Sequence, residues 1–94
     1  MMLDNTQLTT IRKKLALSQE QMARLIGVSF ASVNRWEGAH SSPMESALDI
    51  YLAINAALNT GNTPQAILHA ANNERGQFLY ILFRMAYGHT RIKR

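Results

Sequence analysis

The chain has 94 residues, no cysteine and a net charge of +4, from ten Lys and Arg against six Asp and Glu. That length holds one domain with a modest core, burying roughly 60–70% of the unfolded surface. The lack of cysteine excludes disulfides and thiolate metal sites. The opening Met-Met-Leu-Asp has no basic-then-apolar export pattern. The longest apolar run, Phe78–Phe83, is far too short to cross a bilayer, so a cytoplasmic protein with no membrane contact is expected.

Charge is unevenly placed. Arg12, Lys13, Lys14, Arg24 and Arg35 lie in the first third, Arg84, Arg91, Lys93 and Arg94 near the end, and no Lys or Arg falls between Trp36 and Glu74. Positive charge confined to particular segments suits a face that meets phosphates.

Strand signals are missing, and helical spacing recurs throughout. Leu8, Ile11 and Leu15 predict a first helix over about 5–15, capped by Asp4, Asn5 or Thr6. Ser18, with Gln21 three residues on, predicts a capping box for a second helix that turns Met22, Ala23 and Ile26 inward and stops at Gly27. Ser29 caps a third, with Val33 and Trp36 on its inner face and Gly38 at its end. After a loop over Ala39–Ser42, Pro43 is placed in the first turn of a fourth helix reaching about Asn59. Its apolar arc is broad and includes Met44, Ala47, Leu48, Ile50, Tyr51 and Ile54. Thr63-Pro64 opens a fifth helix to about Ala71. Asn72-Asn73 and Gly76 interrupt it before a sixth running to about Tyr87. One kinked helix over 64–88 is the alternative, because Leu68, Ala71, Arg75, Phe78 and Leu82 keep nearly one phase.

Residues 19–38 meet the demands of a helix-turn-helix. A small contact is needed where the helices cross (Ala23), a turn tolerant of positive φ (Gly27), and apolar anchors behind the second helix (Val28, Val33, Trp36). The run from Leu17 to Gly38, Leu-Ser-Gln-Glu-Gln-Met-Ala-Arg-Leu-Ile-Gly-Val-Ser-Phe-Ala-Ser-Val-Asn-Arg-Trp-Glu-Gly, resembles the phage-repressor-like (Xre/Cro-like) helix-turn-helix family. The likeness extends over about residues 6–58, taking in Ile11-Arg-Lys-Lys-Leu15 and Ser42-Pro43. It implies an all-α fold: a compact five-helix bundle, to which the sequence adds a C-terminal apolar helix. The expected organisation is one domain over 1–94, with a DNA-binding bundle over 5–60, helices over 63–88 for core completion and dimerisation, and a basic tail over 89–94.

Side chains at the start and outer face of the third helix are the ones able to reach base edges. They are Phe30, Ala31, Asn34 and Arg35. Arg suits guanine, Asn adenine, and Ala or Phe a thymine methyl; Phe30 could instead fold back on the second helix. Gln19 opens the second helix, where the family clamps a phosphate and where helix amides favour anions. Ser29, Ser32, His40, Ser41, Ser42, Lys13 and Lys14 are further phosphate candidates, the serines serving equally as caps or turn residues. Arg12 and Glu37 resemble a pair that the family uses to tie the first helix to the end of the third, a positioning role.

No catalytic or metal constellation is present: His40, His69 and His89 are scattered, and neither a phosphate loop nor a nucleophile motif occurs. No cofactor is expected. The segment Phe78–Tyr87 is apolar nearly all round and must be buried on more than one side. A second copy of the chain meeting Phe78, Leu79, Ile81, Leu82 and Met85 is the expected solution, a six-helix monomer core the alternative. The resulting reading is a non-enzymatic, homodimeric repressor of a palindromic double-stranded DNA operator, acting on its own promoter or elsewhere. Competing readings are an antitoxin or other interaction protein whose C-terminal helices bind a protein partner, and a sequence-blind DNA binder. The tail over 90–94 could add phosphate contacts or be a solvated end.

Overall fold

Short-range capping chemistry sets where the helices begin. Asp4 Oδ1 accepts from the Gln7 amide at 2.8 Å while Gln7 Oε1 accepts from the Asp4 amide at 2.9 Å. Ser18 and Gln21 repeat the exchange at 3.1 and 2.9 Å. Each box satisfies two amides that a helix start leaves without partners. Ser29 and Thr63 accept from the amides of Ser32 and Ala66. The computed structural model describes residues 3–88, so His89 and the basic tail lie outside the described residues. Among the described residues the fold is all-α, with α1 (Asn5–Lys14), α2 (Gln19–Ile26), α3 (Phe30–Glu37), α4 (Glu45–Asn59), α5 (Pro64–Ala70) and α6 (Arg75–Tyr87). Contacts group into two units, Met1–Tyr51 and Leu52–Arg94, with α4 running through the division.

In the first unit α2 packs on α3 and α1 packs on α3. Leu8, Ile11, Leu15, Met22, Ala23, Ile26, Val33, Trp36 and Tyr51 are buried, each large aliphatic contributing about 1.5–3 kcal/mol relative to exposure. Trp36 meets Tyr51 edge-on, centroids 6.4 Å apart at 73°, the arrangement that aromatic quadrupoles favour. Burial, and then the nearby charge of Glu37, push the Tyr51 phenol up from its ordinary value and keep it neutral. Gly27 ends α2 at φ 92°, its amide and that of Val28 both bonding to the Ala23 carbonyl.

In the second unit α5 packs on α6, and Ala53, Ile54, Ala57, Ile67, Ala70, Phe78, Leu82 and Ala86 are buried. Thr60 Oγ1 and Asn62 Nδ2 both donate to the Met85 carbonyl, at 3.1 and 3.3 Å, and both also reach Ala57 O. These loop side chains satisfy the Met85 carbonyl that the end of α6 would otherwise leave open, and add to the backbone amides already on Ala57 O.

Helix boundaries depart from the sequence reading at Pro43 and Gly76, and Gly38 ends its helix in an unexpected conformation. Gly38 follows α3 at φ −84°, not in the left-handed region; Ala39 takes that conformation at φ 64°. Glycine at 38 answers a close approach instead, since a Cβ there would stand 3.0 Å from His40 Cδ2 and 3.3 Å from Asn34 O. α4 begins at Glu45, so Pro43 precedes the helix, and Met44 is exposed instead of lying on its apolar arc. α5 and α6 are separate helices broken at 71–74, as first read from the sequence, and not the alternative single kinked helix. Gly76 lies inside α6, where its amide bonds to Glu74 Oε1 at 2.9 Å.

Candidate nucleic-acid interface

On α3 the buried side is Val33 and Trp36, 0% and 4% exposed. Phe30, Ala31, Asn34 and Arg35 occupy positions i, i+1, i+4 and i+5, which share one helical face; all four are exposed. Phe30 keeps 51% of its surface accessible, so α2 does not cover it. Ser32 is half-buried, and its hydroxyl lies 3.0 Å from that of Ser29, whose oxygen also caps the helix. Both serines are thus engaged with each other at the start of α3.

Behind this face lies a polar chain spanning three helices. Arg12 Nε donates to Glu37 Oε2 at 2.7 Å, and Nη2 to Oε1 at 2.9 Å. This is a two-pronged charged pair with side chains only 14% and 5% exposed. Arg12 Nη1 also donates to the Leu17 carbonyl at 2.9 Å. Glu37 Oε1 accepts from Thr9 Oγ1 at 3.1 Å and from Gln19 Nε2 at 3.0 Å. Gln19 Oε1 accepts from Asn34 Nδ2 at 2.9 Å, and Asn5 Nδ2 donates to the Glu37 carbonyl at 3.3 Å. Burial opposes ionisation of Glu37, but hydrogen bonds from Arg12, Gln19 and Thr9 outweigh it and hold the carboxyl below its ordinary value. The hydrogen bond to Glu37 outweighs burial at Arg12 and raises that guanidinium further.

Gln19, singled out by sequence as a phosphate ligand, is therefore also the bridge between Glu37 and Asn34. Thr9 and Asn5 were not singled out. Their spacing of four residues on α1, with Arg12 three further along, puts them on one helical face and was the available signal. Lys13 and Lys14 are exposed in the last turn of α1, and His40, Ser41 and Ser42 are exposed in the loop after α3.

α6 divides its predicted contact residues. Phe78 and Leu82 are buried within the single chain, at 2% and 0%, and offer nothing to a second copy. Leu79, Ile81 and Met85 are half-buried. Tyr80, at 56% exposed, is the most accessible large hydrophobic residue on this helix, and Arg84 lies over its ring at 5.7 Å. Among the described residues no group of three His, Asp or Glu could hold a metal ion, and no helix is long and apolar enough to cross a membrane.

A capped helix whose inner side is anchored and whose outer side carries amide, guanidinium and aromatic groups, following a second short helix across a Gly turn, is a helix-turn-helix, a DNA-binding module. Residues 8–53 match the family described as Helix-turn-helix, which supports the resemblance to the Xre/Cro-like DNA-binding regulators. No curated protein and no solved structure gives a significant match.

Proposed function

We propose that the protein is a homodimeric transcriptional repressor of an inverted-repeat operator, with Phe30, Ala31, Asn34 and Arg35 reading bases. The supporting observation is the division of α3, whose scaffold side is fully buried while every candidate reader is exposed. Gln19, Ser29, Ser32, Lys13, Lys14 and the loop residues His40, Ser41 and Ser42 flank the groove as phosphate contacts. Arg12 and Glu37 hold α1 to the end of α3. In this reading the chain is one DNA-binding bundle over 5–60 followed by helices over 63–88 that join two copies. Gel-shift titration against DNA upstream of the gene tests it, with Asn34→Ala and Arg35→Ala as probes. Each loses about 1–3 kcal/mol of specific binding. Specific binding untouched by both changes refutes the assignment of α3.

A further inference from the structure

The polar chain behind α3 has a direction imposed by chemistry. A carboxylate paired with an arginine has no proton to give. Gln19, 3.0 Å from Glu37 Oε1, must therefore turn its NH2 group toward that oxygen. Its carbonyl is left facing Asn34, 2.9 Å away, and Asn34 must in turn point an N–H inward. One of the two amide protons of Asn34 is thereby committed. What remains for a ligand is the acceptor Oδ1 and a single N–H.

That remainder discriminates between purines. In the major groove adenine offers a donor at N6 and an acceptor at N7, whereas guanine offers two acceptors, O6 and N7. An acceptor-plus-one-donor edge matches adenine and leaves guanine O6 facing a carbonyl oxygen. An asparagine free to rotate and to use both protons would discriminate less.

We propose that Glu37, acting through Gln19, fixes the hydrogen-bonding polarity of Asn34 and so makes the protein prefer adenine over guanine at the base pair Asn34 reads. Glu37 and Gln19 are positioning residues for this choice, and the proposal rests on Asn34 being a base reader. Gln19 then has two separable effects. Contact with a phosphate changes affinity for all sequences alike, whereas control of Asn34 changes preference at one base pair only.

The test is a binding selection on randomised operator DNA, followed by titration of single-base variants, with the full chain. The wild type selects adenine at one position per half-site. Asn34→Ala lowers that preference about tenfold. Gln19→Met, which leaves the Arg12–Glu37 pair in place, lowers the preference at the same position several-fold and leaves the others unchanged, with or without a uniform loss of affinity. The double variant loses little more than Asn34→Ala alone, because the two act in series. Glu37→Gln, whose amide can present either end, erodes the same preference wherever thermal melting shows it folded. A preference that survives Gln19→Met intact, or a loss spread evenly over all positions, overturns the relay, as does an adenine preference that survives Asn34→Ala. Wild-type protein with no sequence preference at all overturns the functional reading instead.

Discussion

Glu37 is the residue on which α1, α2 and α3 converge, and its ionisation couples their packing to pH. An unfolded glutamate titrates near about pH 4.3; folded Glu37 titrates below its ordinary value, since hydrogen bonds from Arg12, Gln19 and Thr9 outweigh its burial. The unfolded chain therefore takes up this proton first as pH falls. The stabilisation is full above the unfolded value and is lost as pH drops through the folded one. The melting temperature of Glu37→Gln is expected to lie below wild type near neutrality and to converge on it only as pH falls below the ordinary glutamate value and through the lowered folded one. A difference independent of pH would show that the carboxylate's charge is not the source. Arg12 and Glu37 were legible in sequence as a pair through family resemblance, and the direct contact between them is present at 2.7 Å. The bridge through Gln19 was not legible, because it joins residues 15 and 18 positions apart whose proximity depends on how the helices cross.

Among the elements, the turn between α2 and α3 concentrates the conformational demand. Gly27 sits at φ 92°, where a Cβ crowds the backbone at a cost of about 1–2 kcal/mol. Gly27→Ala should lower unfolding stability by about that amount in urea titration, and an unchanged midpoint would mean that the turn relaxes. The helices themselves were readable because Leu8, Ile11 and Leu15 keep helical spacing and Ser18 with Gln21 carries its start signal within three residues. Pro43 misled for a physical reason: its fixed φ suits the first turn of a helix and also the extended chain before one. Gly38 ends α3 as read from sequence, but for a different physical reason. Glycine after a helix usually supplies a left-handed residue, whereas here it makes room for the His40 ring and the Asn34 carbonyl, which only the folded chain brings close.

For the whole molecule, the all-round apolar pattern of α6 showed that this helix needed cover without showing how much the chain supplies. Phe78 and Leu82 are covered within the chain, while Leu79, Tyr80, Ile81 and Met85 keep accessible surface. The proposed dimer would draw on such accessible residues and not on Phe78 or Leu82, and size-exclusion chromatography with light scattering should give twice the chain mass at micromolar concentration. A monomer mass there would remove the dimer from the proposal. The placement of charge has a separate consequence. Within Met1–Tyr51 one of the five Lys and Arg residues, Arg12, is already spent on Glu37, leaving Lys13, Lys14, Arg24 and Arg35. Each phosphate neutralised by a cation adds about −0.9 to the slope of log affinity against log salt. Four such cations per unit, doubled in the proposed dimer, would give a slope of up to about −7, so DNA affinity is expected to fall steeply as salt rises.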